Sequence, residues 1–213
     1  LSPKQGAEKI KGLLNHYNHQ GVPVGKGINL NKDFKHRALI NNLNLNIKSS
    51  YNYHNDAVEL MHESLNAGKN IIIASSVLTN ISKLLKKYPE DSLMIEKIIW
   101  SENPANPGMN YKRDSISAKH VINNFRKIEY VYPGSNLRFL SNNFSSYIKS
   151  LDNQYSKNLL NIFSKTSKTK ISKMSHMIWD DCLPVYLLYP EQFVNKNGYY
   201  RLKKQNEFEM LIA

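Results

Sequence analysis

The middle of this chain alternates short apolar runs with amphipathic stretches, and that alternation constrains the fold more than any other feature. Ile71-Ile72-Ile73-Ala74 is a continuous apolar run, Lys97-Ile98-Ile99-Trp100 reads as a second strand and Ile128-Glu129-Tyr130-Val131-Tyr132 as a third. Unbroken apolar runs suit strands covered on both faces. Helical spacing fills the gaps. Ala57, Met61 and Leu65 form one apolar face, closed by Gly68, and Ile81, Leu84 and Leu85 another, with Thr79 or Asn80 as its cap. A third helix is expected from Ser115 to Phe125, with Asp114 as its cap. Strand and helix in alternation predict an α/β fold: a mostly parallel open sheet with right-handed crossovers and helices on both faces.

The ends of the chain read differently. Ser2-Pro3-Lys4-Gln5 has the residues of a helix start, a capping Ser with Pro in the first turn and Gln where a capping box needs it. Ile10, Leu13, Leu14 and Tyr17 follow at helical spacing, Gly21 ends that helix, and Val22-Pro23-Val24 is extended. Residues 25 to 54 read as a long loop with one short helix around Ala38 to Leu43. After Leu137 the pattern turns helical, with one helix on Phe139, Phe144, Tyr147, Ile148 and Leu151 and another on Tyr155, Leu159, Leu160 and Phe163. Residues 1–213 are read as a single domain.

Charge and cysteine usage narrow the function. Twenty-nine Lys and Arg against 17 Asp and Glu give +12, a balance that attracts anions. The basic residues are scattered, however, and the densest cluster, Lys165 to Lys173, alternates with Ser and Thr without interleaved aromatics. A nucleic-acid-binding role is therefore the less favoured alternative. No run approaches the ~20 apolar residues that cross a bilayer, so no membrane partner is expected. The lone Cys182 excludes an internal disulfide. With no leader visible, a cytoplasmic location is expected.

In such sheets ligands bind at loops that follow the strand C-termini. Three segments qualify: Ser75 to Thr79, Ser101 to Asn110, and Pro133 to Leu137. A further constellation stands apart. Trp179-Asp180-Asp181-Cys182 sets two carboxylates at the head of an apolar segment that stops at Pro190. Asp180 has two readings, a helix cap or a ligand for a hard cation or polar group. Thr79 likewise reads as a helix cap, Asn110 as a turn former and Trp179 as a core filler. His54 and His62 read as surface residues, and Cys182 as a small buried hydrophobe.

Three motifs in order resemble the nucleoside hydrolase family of the inosine–uridine-preferring type. Ile71 to Asn80 is similar to that family's apolar strand and Gly-Pro-Leu-Thr-Asn turn; Leu78-Thr79-Asn80 is intact, and Ser76-Val77 stands for Gly-Pro. Gly108-Met109-Asn110 through Asp114 resembles the family's Glu-Phe-Asn segment, with Gly108 in place of Glu. Trp179-Asp180 resembles the His-Asp or Trp-Asp signature of its late helix, and Tyr189 replaces a later Asp. Gly21 to Gly27 fits the family's strand and Gly-rich turn. The resemblance lacks the family's N-terminal Asp-rich strand, which implies either a fragment of a longer product or a fold without its first unit.

The resemblance implies hydrolysis of a ribonucleoside N-glycosidic bond to ribose and free base, with calcium as cofactor. Asp180 and Thr79 (through its carbonyl) would hold the metal; Asn110, Trp179 and Asn103 would bind substrate. Trp179 occupies the position of the family's acid and cannot donate a proton as His would. One carboxylate and one carbonyl are a sparse calcium shell, so binding of the ion is expected to be weak and activity of the chain alone low or absent. A catalytically silent nucleoside- or ribose-binding module is the alternative. Family members are often homo-oligomers, although no interface is legible in this sequence.

Overall fold

A computed structural model describes residues 2–30, 52–132, 138–166, 175–177 and 180–203. They fall into two compact units, one comprising 1–100 and 107–129, the other 101–106 and 130–213. The short helix expected around Ala38 to Leu43 lies outside the described residues.

The first unit opens with helix α1, Pro3–His16, which starts as expected. Gln5 N–H donates to Ser2 Oγ at 3.2 Å and Ser2 N–H to Gln5 Oε1 at 2.9 Å, a reciprocal capping box. Helix α2, Ala57–Asn66, is capped by Asp56, whose carboxylate accepts from Val58 N–H at 2.8 Å. Strand β1, Asn70–Ala74, helix α3, Thr79–Lys87, and a 3-10 turn, Pro89–Leu93, lead to strand β2, Ile95–Trp100. Then come helices α4, Met109–Arg113, and α5, Ser115–Asn124, and strand β3, Ile128–Tyr130.

The sheet order is β1-β2-β3, and β1 pairs with β2 in parallel, Ile72 against Ile98 and Ala74 against Trp100. The expected α/β architecture is present: a parallel three-stranded sheet flanked by helices. Its core is aliphatic. Leu78, Leu84, Ile98, Ile99, Trp100, Ala118 and Val121 are all fully buried. Ile71 to Ala74, however, is not covered on both faces as its apolar run suggests: no residue of β1 is fully buried and Ile73 is 43% exposed, β1 standing at the end of the strand order. β2 runs two residues longer at its N-terminus than the sequence suggests, because Ile95 is also buried.

The second unit contains helices α6, Ser141–Ser150, and α7, Gln154–Thr166, where two helices were read, but Phe139, expected on the first of them, lies in a strand because it pairs with His176. Strands β4, Arg138–Leu140, and β5, Ser175–Met177, pair antiparallel. Helix α8, Cys182–Leu188, then a 3-10 turn, Pro190–Gln192, leads into an antiparallel hairpin of β6, Phe193–Lys196, and β7, Tyr199–Leu202. That hairpin was not anticipated, although Asn197 and Gly198 carry the signal for it. Both take positive φ, 55° and 87°, the backbone of a two-residue turn that Asn-Gly favours. Cys182 is fully buried, as expected of a small hydrophobe. No helix among the described residues is long and apolar enough to cross a membrane.

Candidate functional site

The turn after β1 is held by three other segments. Trp100, at the end of β2, donates its indole N–H to the Ser76 carbonyl at 2.9 Å. Thr79 donates its hydroxyl to Asp114 Oδ2. Asn80 Oδ1 accepts from Ile28 N–H at 3.0 Å. Each bond is long-range in sequence, so Ser75–Asn80 is fixed by the fold and not by its own local preferences.

Thr79 is not the cap expected from the sequence. Leu78 occupies the N-cap position without a side-chain hydrogen bond, and Thr79 is the first helical residue of α3. The physical reason is a better acceptor elsewhere. The Asp114 carboxylate takes the Thr79 hydroxyl in a charge-assisted bond, stronger than a neutral cap. Asp114 is the cap it was expected to be: its Oδ1 accepts from Ser117 N–H at 3.1 Å at the start of α5. The one carboxylate thus joins the Leu78-Thr79-Asn80 motif to the Asn110–Asp114 motif.

Asn110 lies in the short helix α4, which ends at Asp114; the sequence suggested a turn there. Its place on that helix puts it in the segment that Asp114 anchors. Asn103 belongs to the second unit. Its amide oxygen accepts from the N–H groups of Ala105 and Asn106 at 3.0 and 3.3 Å and so closes a local turn. The preceding Glu102 is buried and accepts from Asn103 N–H at 3.0 Å.

Trp179 lies outside the described residues. Asp180 is described, and its expected role as a cap is not observed. Asp181 is the N-cap residue of α8 and makes no side-chain cap bond, while the Asp180 carbonyl accepts from Leu183 N–H at 3.1 Å. The Asp180 side chain keeps an exposed surface, yet the protein around it raises its pKa from the ordinary value. Desolvation is the main cause; a Ser101 hydrogen bond opposes it and the Asp181 charge adds to it. Burial likewise pushes the Cys182 thiol up to about 12, with Asp181 and Asp180 contributing.

Among the described residues, no three His, Cys, Asp or Glu side chains come together in a group that could hold a metal ion. Calcium takes about six to eight oxygens, several from carboxylates. The described donors therefore do not fit a calcium shell.

Sequence reasoning also missed a polar cluster. His62, read as a surface residue, holds Asp91 through Nδ1 at 2.9 and 3.1 Å from the two carboxylate oxygens, and Asp91 is 2% exposed. The His62 ring stacks on Tyr88 at 3.7 Å. The cluster ties α2 to the 3-10 turn. No local pattern announces a pairing between residues 29 apart.

Comparison with solved structures decides the fold. A plant nucleoside hydrolase superposes with a TM-score of 0.72 at 15% identity, over 95% of this chain and 75% of its own. The fold is nucleoside hydrolase-like. An inosine-guanosine nucleoside hydrolase gives a TM-score of 0.73 at 14% identity, over 92% of this chain and 69% of its own. The type III effector protein XopQ, solved in complex with adenosine diphosphate ribose, is also similar to this chain in fold. It gives a TM-score of 0.57 at 12% identity, over 99% of this chain and 78% of its own. No family model matches the sequence, and no curated protein matches it.

Proposed function

We propose that this chain recognises a ribonucleoside at the turn following β1, and that the N-glycosidic bond is the target of slow hydrolysis to ribose and free base. The observation that carries this reading is the Thr79–Asp114 bond. It joins two motifs that resemble the nucleoside hydrolases at the end of a parallel strand, where sheets of this class bind ligands. The nucleoside hydrolase-like fold supports it.

The roles follow from the chemistry of each group. Asn110 offers an amide to a ribose hydroxyl, and Thr79 offers its carbonyl because its hydroxyl is already committed to Asp114. Asp180 is proposed as the acidic group of the reaction. A carboxylate with a raised pKa exchanges a proton nearer to neutrality than an ordinary one. Trp179 and Asn103 are proposed base and sugar contacts. Turnover by the chain alone is expected to be slow, since one carboxylate and one carbonyl make a sparse calcium shell. Calcium dependence belongs to this reading only with acidic donors beyond those described. The setting proposed is cytoplasmic, which suits a protein with a single cysteine.

A second reading, binding without turnover, is favoured by Gly108 and Trp179 standing where the resembled family has Glu and its acid, and by the structural neighbour that is complexed with adenosine diphosphate ribose. Base release from inosine and uridine, followed chromatographically with and without calcium, separates the two. Release that disappears in Asp180→Asn supports hydrolysis. Nucleoside binding without release supports the second reading. Neither binding nor release overturns both.

A further inference from the structure

We propose that a cleft in the first unit, beside the Gly25-Lys26-Gly27 turn, binds a phosphoryl group, and that the natural ligand is therefore a phosphorylated ribonucleoside. The cleft has a volume of about 460 Å³ and is lined by Lys4, Lys26, Gly27, Asn55 and Asp56, among others. That is room for a phosphate with a sugar attached.

The turn is built rigidly. Lys26 N–H donates to the His54 carbonyl at 2.9 Å, and Ala57 N–H donates to the Lys26 carbonyl at 3.0 Å. Ile28 N–H is held by Asn80 at 3.0 Å. Two glycines permit this clamping. A Cβ on Gly25 would stand 2.7 Å from the Ala57 Cα, and one on Gly27 would stand 3.0 Å from Asn80 Nδ2. The clamped turn leaves donors over. The Gly27 N–H, the Lys26 ammonium and the Asn55 side-chain amide make no hydrogen bond among the described residues. Lys4, itself exposed, has Glu8 only at 4.0 Å, a long contact.

The electrostatics favour an anion. Asp56 is the single carboxylate of the lining, and it is committed to the cap of α2. Among the described residues the Lys26 ammonium, a backbone N–H and a carboxamide have no acceptor, and Lys4 has only its long contact to Glu8. A phosphoryl group supplies what they need, several strong acceptor oxygens and negative charge. Carboxylates offer fewer acceptors, and neutral sugars no charge.

The ribonucleoside half of the ligand rests on the proposed function; the phosphoryl half does not. Asn80 links the two, because it holds Ile28 of the cleft segment and directly follows Thr79 in the turn proposed to meet the ribose.

Titration calorimetry on the full chain tests this with inorganic phosphate, adenosine and adenosine 5′-monophosphate. The variants are Lys26→Gln, Lys4→Gln and, as a control for lost charge, Lys83→Gln on the exposed side of α3. A charge-assisted contact of this kind corresponds to about tenfold or more in affinity. The monophosphate is expected to bind about tenfold more tightly than adenosine, and Lys26→Gln to remove that gain while Lys83→Gln retains it. Equal affinity of the two ligands, or a gain that survives both Lys26→Gln and Lys4→Gln, overturns the cleft. An equal loss in Lys83→Gln overturns it too, since the effect is then general charge. Phosphate binding that is lost in Lys26→Gln, with no binding of adenosine, supports the cleft and overturns the ribonucleoside reading instead.

Discussion

Thr79 and Asp114, 35 residues apart, are joined hydroxyl to carboxylate, and through that bond the turn leaving β1 is fixed to the start of α5. Thr79→Val should leave a partly buried carboxylate oxygen without its donor, at a cost of about 1–3 kcal/mol. Thr79→Ser keeps the hydroxyl and should recover most of the loss. Asp114→Ala removes the cap as well and should cost more than Thr79→Val. Urea unfolding midpoints of the three variants check the order.

The His62–Asp91 pair predicts a larger effect away from the candidate site. With His62 replaced by Leu, a carboxylate that is 2% exposed loses the donor serving both its oxygens. Stranding a buried charge in this way costs about 3–5 kcal/mol. The double variant His62→Leu/Asp91→Leu should be less destabilised than His62→Leu alone, and a double-mutant cycle in urea reads this directly.

Gly25 should tolerate no side chain. A methyl at that position meets the Ala57 Cα at 2.7 Å, a backbone atom that cannot swing aside. Gly25→Ala is expected to cost about 1–3 kcal/mol by overpacking. Thermal unfolding is the check, with Gly6→Ala, inside α1 and with nothing within 4 Å of the added Cβ, as the comparison that should be stabilising.

How much of this was legible follows from the range of each signal. The capping box at Ser2 and Gln5, the Asp114 cap and the three strands depend on neighbours in sequence or on plain apolar runs, and the sequence carried them. Thr79 was misread because its partner is an acceptor on another helix, which no helix-start pattern contains. His62 looked like a surface residue for the same reason, its partner being a buried Asp on a later turn. Of the motifs that resemble the nucleoside hydrolases, the two lying in the first unit are shown to meet. Nothing in their spacing alone requires it, since the contact depends on β1 and β2 lying side by side.

The titration of Asp180 and Cys182 gives a pH prediction in the second unit. Both pKa values are raised in the folded chain, so both favour the protonated form there. For Cys182 the resulting stabilisation is fully present below its ordinary value near 9 and is lost as pH climbs toward about 12. At pH 8 the thiol should resist iodoacetamide in the folded protein and react after unfolding. For Asp180 the same sign means that its ionised form works against folding. Asp180→Asn should therefore be neutral or slightly stabilising at pH 7 while lowering base release. A residue whose removal helps stability and harms turnover is one kept for function.

The central claim is that a ribonucleoside sits at the turn carrying Thr79. Amide NMR spectra of the full chain, titrated with inosine and then with uridine, test it most directly. The account predicts saturable shifts concentrated on Ser75–Asn80 and Asn110, weakened in Thr79→Val. Spectra in which those amides stay still at saturating nucleoside, or in which shifts gather elsewhere and ignore Thr79→Val, would contradict it.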